Sequence, residues 1–300
     1  ATEPETEASY VVLIEAGSNG TVAHVYSYTR EAGQMYPQVS VPGKRLHSGA
    51  NLSALSAAVQ PSEADVGAML DPLAAFALSE VPTEQHGATP LLMVATAASL
   101  RGVRRDASAR LLDACYERLR QKAGGLLLQR DWVEIIGPRV QGGLLWLAVN
   151  YAQGRLRGMR HQNKGTVSCV SMGLQTVQAV VSLSPDEEEE GELRVRFGSA
   201  SVSLYSVNHD LVGIDAARSK YRRQMASSQG TAAARWRRDP CLRAGASNIF
   251  ARGLGNYFKC EELAATLLRK DVPCEVPPCS IGGAHLPDLL SGADSGGVVV

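Results

Sequence analysis

Two glycine-bearing turns have the residue types and spacing for chemistry on an anion. Gly17-Ser18-Asn19-Gly20-Thr21 follows an apolar run from Tyr10 to Ile14, and Glu15 stands two positions before its first glycine. Gly173-Leu174-Gln175-Thr176 follows a second apolar run, with Ser171 two positions before Gly173. Successive backbone N–H groups in a tight turn form an anion-binding nest. Two such turns, one leading each half of the chain, would hold one phosphate chain between them. An ordinary glycine-containing hairpin explains either turn alone; only the recurrence brings the phosphate reading level with it.

The cysteines suggest different chemistry. Cys115 and Cys169 sit inside apolar stretches and read as small buried hydrophobes. Cys241, Cys260, Cys274 and Cys279 crowd the last sixty residues without CxxC spacing or a nearby histidine pair, which disfavours zinc. Beside proline and glycine they read as two disulfides and an oxidising compartment. Asn51-Leu52-Ser53 is a short glycosylation sequon. Residues 185–192 (PDEEEEGE) read as a solvated loop, because like charges repel.

The elements that must position these residues follow from periodicity. Strands are predicted over residues 10–14 and 22–28, joined by the first turn as a hairpin. A helix over 62–80 is capped by Ser62, a strand spans 90–96, and a helix over 106–122 starts near Asp106. A strand spans 132–136, and 142–151 reads as a buried helix despite its glycines. In the second half, strands are expected over 166–171, 176–183, 193–197 and 201–205. Helices are expected over 214–225 and 261–270, and the Gly/Ser-rich tail from Ser291 is expected to fray. Two domains follow, residues 1–140 and 141–300, each led by one turn.

Composition excludes several classes. The chain has 300 residues, 45% hydrophobic, with 30 basic and 30 acidic side chains. That balance argues against disorder and against a dominant nucleic-acid surface. No run reaches the ~18 apolar residues of a membrane span. The chain begins at Ala1 without an initiator methionine or a readable signal sequence, and so reads as processed or a fragment.

In order along nearly its whole length, the chain resembles the apyrase-type nucleoside triphosphate diphosphohydrolases. Their first segment, Asp-Ala-Gly-Ser-Ser-x-Thr, is matched by Glu15-Ala16-Gly17-Ser18-Asn19-Gly20-Thr21. Their second, beginning Ala-Thr-Ala-Gly, is matched by Ala95-Thr96-Ala97-Ala98 followed by Arg101. The third is matched from Gly142 through Trp146 and Asn150-Tyr151 to Gly154, and the fourth by Ser171 to Gln178. The late cysteines, with Ser280-Ile281-Gly282-Gly283, resemble the family's cysteine-rich stretch, which implies the pairs Cys241–Cys260 and Cys274–Cys279.

The resemblance implies an α/β, actin-like (ribonuclease H-like) two-lobed fold and in-line water attack on the terminal phosphate of a nucleoside tri- or diphosphate. It further implies Mg²⁺ or Ca²⁺ held through water near Glu15 and Ser171. Gly17, Ser18, Asn19, Gly20, Thr21, Thr96, Gly173 and Thr176 would contact phosphates, and Gln141 would occupy the catalytic position. A secreted or lumenal location is implied, with neither a nucleic-acid partner nor a membrane span.

The departures fall on that chemistry. The family's catalytic glutamate is replaced by Gln141, which can orient a water but cannot accept its proton. Losing a general base costs about 10²–10⁴ in rate, and Glu134 on a strand is a poor substitute. Glu15 replaces an aspartate, keeping the charge on a longer arm, whereas Ser171 replaces one outright, which weakens hold on a hard cation. Leu174 stands where a glycine would let phosphate approach, and the family's fifth segment is missing, so the chain reads as C-terminally incomplete. Two functions follow: an active phosphohydrolase, or a catalytically dead nucleotide-binding or scaffold relative. A third reading, an exopolyphosphatase or sugar kinase of the same fold class, is disfavoured by the cysteine-rich tail and the Trp146–Tyr151 segment.

Overall fold

A computed structural model describes residues 8–17, 20–31, 33–50, 52–56, 62–100, 103–156, 165–183, 192–198, 200–227, 237–247, 251–285 and 298–299. Ser18, Asn19, Asn51 of the sequon and most of the acidic 185–192 stretch lie outside the described residues. The chain divides into two compact units, residues 1–141 with 196–201, and residues 142–195 with 202–300.

The first unit contains β1 (Ser9–Gly17), β2 (Gly20–Thr29), β3 (Gln38–Val39), β4 (Lys44–Ser48), α1 (Leu52–Ser56), α2 (Glu63–Glu80), β5 (Leu91–Thr96), α3 (Arg105–Lys122) and β6 (Val133–Ile136). Its sheet runs β3-β2-β1-β5-β6, with β4 also on β2. The hairpin β1–β2 is antiparallel, whereas β1–β5 and β5–β6 are parallel. Val12, Ile14 and Ala16 alternate inward along β1 and meet Met69, Leu70 and Leu73 of α2 and Leu111, Cys115 and Leu119 of α3 in one core. Ser62 caps α2 by accepting the Asp65 N–H at 3.1 Å. Arg118 of α3 grips Asp71 of α2 through both carboxylate oxygens, which holds the Asp71 carboxyl below the usual range.

The helix α4 (Pro138–Ala152) begins in the first unit and continues into the second. The chain then forms β7 (Ser168–Met172), β8 (Thr176–Ser182), β9 (Leu193–Phe197), β10 (Ala200–Asp210), α5 (Ile214–Ser227), β11 (Arg237–Asp239), β12 (Ala251–Gly253), α6 (Tyr257–Leu268) and β13 (Val298–Val299), all in the second unit except the part of β9 and β10 within 196–201. The second unit's main sheet runs β13-β7-β8-β10-β9, and β11–β12 form a small parallel ladder. Gly142, Gly143, Trp146 and Asn150 form the buried face of α4. A methyl group at Gly142 would lie 2.2 Å from Ser206 Oγ, and one at Gly143 would lie 2.7 Å from Leu193 Cδ2. The glycines that weaken helix propensity thus allow close packing on the sheet.

Several boundaries differ from expectation, among them the start of α4, which lies at Pro138 and not at 142. β10 runs on to Asp210 because pairing with β8 through Asp210↔Thr176 overrides the low strand propensity of Asn208 and Asp210. α6 starts at Tyr257 because Asn256 Oδ1 accepts the Lys259 N–H at 3.0 Å. In the tail, Val298 and Val299 pair in parallel with Ser168 and Cys169 instead of fraying. Disulfides join Cys241 to Cys260 and Cys274 to Cys279, and Cys115 and Cys169 are free and buried. Among the described residues, no helix is long and apolar enough to cross a membrane.

Candidate active site

In the first unit, topology gathers the candidate residues at one sheet edge. Ala16 of β1 pairs with Ala95 of β5, which pairs with Ile135 of β6. Gly17, Thr96 and Ile136 therefore end three neighbouring parallel strands at the same level. Open parallel sheets bind ligands outside the carboxyl ends of their strands. Gln141 lies in the first turn of α4, which leaves this edge two residues after Ile136, and its N–H donates to Gly137 C=O at 3.0 Å.

Each residue at the edge has a local reason for its position. Gly20 has φ +130°, and a methyl group there would lie 2.7 Å from the His47 ring. Only glycine suits that backbone. Gly17 faces no such restriction, since a methyl group there would find Gly20 C=O at an ordinary 3.7 Å. Thr96 is buried, and its hydroxyl oxygen accepts the Ser99 N–H at 3.3 Å while Ser99 Oγ donates to Thr96 C=O at 2.7 Å. That exchange anchors the turn at residues 97–100 and does not use the Thr96 hydroxyl proton. Thr21 lies one step inside the edge, fully buried, and its hydroxyl donates to Met69 Sδ at 3.3 Å.

Glu15 is exposed between buried Ile14 and Ala16, on the opposite sheet face. Glu134 shares that face two strands away, through Glu15↔Val94↔Glu134. Two strand spacings put their backbones ~10 Å apart. His24 is held below its ordinary pKa by burial, an effect opposed by Glu15 and reinforced by Arg45. At neutral pH it is an uncharged ring stacked on Tyr26.

In the second unit, the turn between β7 and β8 is held from behind. Ile214 N–H donates to Gly173 C=O at 3.0 Å, Asp215 and Ala216 donate to Leu174 C=O at 2.9 and 3.2 Å, and Gly213 donates to Gln175 C=O at 3.2 Å. The first amides of α5 are thus satisfied by three consecutive turn carbonyls. Across a trans peptide, C=O and N–H point in opposite directions. With the Gly173 and Leu174 carbonyls aimed at α5, the N–H groups of Leu174 and Gln175 point away from it. Successive amides facing outward are the arrangement that anion-binding nests use. Gly213 permits the arrangement: a methyl group there would lie 2.5 Å from both Gly173 O and Thr176 N.

Gly173 donates its N–H to Thr176 C=O at 2.9 Å and closes the hairpin. Thr176 is half-buried at its far side, and Ser171 sits two residues upstream, paired with Gln178. Gln178 of β8 is a further candidate. It is buried, its Nε2 donates to Ser206 Oγ at 3.4 Å, and it lies against Gly142, the residue after Gln141. Its signal was its place at the end of the fourth segment. Among the described residues, no cluster of three or more His, Cys, Asp or Glu side chains forms a metal cage. Glu15 offers the first unit one exposed carboxylate, and Ser171 offers the second unit one hydroxyl; oxygen donors are the kind a hard, largely hydrated Mg²⁺ or Ca²⁺ takes.

Comparison with known proteins accords with this geometry. A model of the GDA1/CD39 (nucleoside phosphatase) family matches residues 1–295. A protein named probable apyrase 6 from Arabidopsis thaliana is 28% identical over 309 residues, covering 93% of this chain and 53% of its own length. A guanosine-diphosphatase from Saccharomyces cerevisiae is 26% identical, covering 95% and 59%. The chain therefore spans little more than half the length of these curated relatives. A crystal structure of nucleoside triphosphate hydrolases from Neospora caninum shares the α/β, actin-like fold, with TM-score 0.56 and 18% identity over 78% of this chain and 50% of that one.

Proposed function

The chain belongs to the GDA1/CD39 (nucleoside phosphatase) family, and from that premise we propose that it hydrolyses the terminal phosphate of nucleoside tri- or diphosphates slowly and with a divalent cation. The β7–β8 turn carries the reading: α5 takes its carbonyls, so its amides face outward. Leu174 and Gln175 N–H groups bind phosphate oxygens and stabilise charge that builds in the transition state. The Thr96 hydroxyl donates to a phosphate oxygen at the carboxyl edge of the first sheet. Thr21, turned into the core, supports its turn and does not touch phosphate.

Gln141 orients the attacking water. The water oxygen bonds to the terminal phosphorus, the bond from phosphorus to the bridging oxygen breaks, and the shortened nucleotide leaves. Gln141 cannot take the water's proton, so it passes to solvent or to a phosphate oxygen. When bound, Mg²⁺ or Ca²⁺ neutralises phosphate charge as a Lewis acid; Glu15 is the carboxylate that would hold its water. The two disulfides suit a secreted or lumenal setting.

A second reading, a relative that binds nucleotide without turnover, is favoured by the replacement of carboxylates at both Gln141 and Ser171. Phosphate release from ATP, ADP and UDP, with and without chelator, separates the two. Slow, chelator-sensitive release that rises about 10²–10⁴-fold in Gln141→Glu supports the slow hydrolase. Nucleotide binding by calorimetry with no release by either protein supports the second reading. Wild-type turnover of ~1–10³ s⁻¹ overturns both, because it needs no missing base. Neither binding nor release removes nucleotide function altogether.

A further inference from the structure

The segment Leu254-Gly255-Asn256-Tyr257-Phe258 turns large apolar side chains outward. Leu254, Tyr257 and Phe258 are 41%, 68% and 80% exposed. The two rings meet edge to face, with centroids 5.7 Å apart. Scattered exposed apolar residues are ordinary, whereas a group of them in one place points to an interaction surface.

The helix does not need these rings for its own packing. The inward side of α6 falls to Cys260, Leu263 and Leu267, which share a helical stripe and are partly buried. Tyr257 and Phe258 are left outside it. The tip they form is rigid. Asn256 caps the helix by accepting the Lys259 N–H, Asn256 N–H donates to Pro240 C=O at 3.0 Å, and Gly255 N–H donates to Leu242 C=O at 2.8 Å. The Cys241–Cys260 disulfide ties the same loop to α6.

The charge around the tip has one sign. Residues 240–260 carry Arg243, Arg252 and Lys259 and neither Asp nor Glu, in a chain whose net charge is zero. All three cations are exposed. The next carboxylates along α6, Glu261 and Glu262, begin one helical turn behind the rings, ~5.4 Å further from the tip. Glu261 accepts the Tyr257 hydroxyl there at 3.4 Å.

We propose that this tip seats on an anionic phospholipid surface. Leu254, Tyr257 and Phe258 enter the boundary between headgroups and acyl chains, where aromatic rings settle, while Arg243, Arg252 and Lys259 meet headgroup phosphates. Such binding scales with buried apolar area plus attraction to anionic lipid. Rings that protrude this far need a matching groove in a protein partner, whereas a lipid interface yields around them. The capped, disulfide-tied tip has little order left to lose on docking. The contact is with the surface alone, since among the described residues no helix is long and apolar enough to cross a membrane.

The test is co-sedimentation of the full chain with vesicles of phosphatidylcholine alone and of phosphatidylcholine mixed equally with phosphatidylserine. The mixed vesicles are expected to bind the protein, with an affinity that falls as salt rises, and the neutral ones to bind it far more weakly. Phe258→Ser is expected to weaken binding by about tenfold, and Arg243→Gln and Lys259→Gln by about fivefold each. Leu127→Ser, at an exposed apolar position of the first unit, should leave binding unchanged. Wild-type protein that ignores the mixed vesicles, or that binds both kinds equally, overturns the proposal. So does binding that survives the double variant Tyr257→Ser, Phe258→Ser with the far-UV spectrum intact. Sedimentation velocity without lipid covers the other occupant: a dimer that Phe258→Ser dissolves assigns the tip to a second copy of the chain and overturns the lipid proposal. Nucleotide turnover is read in a separate assay, so failure here leaves the hydrolase reading standing.

Discussion

Asn150 and Val167 hold each other by a reciprocal pair of hydrogen bonds. Val167 N–H donates to Asn150 Oδ1 at 2.8 Å, and Asn150 Nδ2 donates back to Val167 C=O at 3.1 Å. The second Nδ2 hydrogen goes to Trp146 C=O at 2.9 Å. The side chain is 0% exposed, so three polar groups are satisfied where water does not reach. The pair joins α4, which carries Gln141 in its first turn, to the residue preceding β7, which carries Ser171. Asn150→Leu leaves the Val167 N–H and C=O without these partners, at about 1–3 kcal/mol for each orphaned group. Asn150→Asp adds a buried charge that cannot donate. Both variants should lower the urea midpoint with little change in slope, Asn150→Asp at pH 7 more than Asn150→Leu.

The glycines predict a contrast within one experiment. Gly213→Ala drives a methyl group into the turn backbone, 2.5 Å from Gly173 O and Thr176 N. The first turn of α5 must then leave the 173–175 carbonyls, and the amides of Leu174 and Gln175 lose their fixed direction. Gly173→Ala meets Thr176 O at 3.5 Å and Thr176 Oγ1 at 3.9 Å, both ordinary contacts. Gly213→Ala should lower both melting temperature and nucleotide affinity, whereas Gly173→Ala should fold and melt as wild type. In the first turn, Gly20→Ala and Gly17→Ala should divide the same way.

That contrast shows what the sequence could convey about the site. Gly17 and Gly173 stand out in a linear reading because each follows a strand and precedes a threonine. The steric demand falls instead on Gly20, through φ, and on Gly213, some forty residues away and visible only once α5 docks on the turn. Local periodicity sufficed for β1, β2, α2 and α3, where one face is consistently apolar. It missed the start of α6, because Tyr257 and Phe258 are 68% and 80% exposed and obscure the helical pattern, although Asn256 is an ordinary cap signal. It missed β13 because two valines pairing with β7, over a hundred residues away, leave no local trace. β11 and β12, at three residues each, are too short for alternation to register. Thr21 illustrates the remaining limit: a residue matching a motif can have its hydroxyl bonded to a core sulfur.

Thiol reactivity should divide the six cysteines cleanly. Burial pushes the Cys115 thiol up to about 12 and the Cys169 thiol up to about 11. The thiolate is the nucleophile, so native protein at pH 8 should react with a disulfide reagent at neither position. Denatured, unreduced protein should show two thiols per chain, because Cys241–Cys260 and Cys274–Cys279 are closed. Reduction should raise the count to six. Six thiols before reduction would contradict both disulfides.

Acid should loosen the protein before its carboxylates titrate, and His209 gives the sign. It is buried on β10 with Nε2 3.4 Å from Ser280 Oγ, and burial lowers its pKa below the ordinary 6.5, an effect partly opposed by a backbone hydrogen bond at Ile281. The unfolded chain therefore binds a proton at a higher pH than the folded chain does. Linkage makes stability full above pH 6.5 and lets it fall as pH drops from there toward the lower folded value. His24, lowered chiefly by its own burial, acts in the same direction from the first unit. Asp71, held low by Arg118, adds its loss only further down, below its ordinary 3.8. Urea midpoints measured between pH 7.5 and 5 should be flat at the top and decline below 6.5. In His209→Gln the decline should be shallower by one proton's share, whatever the variant's stability at pH 7.5. A wild-type midpoint that stayed constant to pH 5 would show that neither ring is held neutral by the fold.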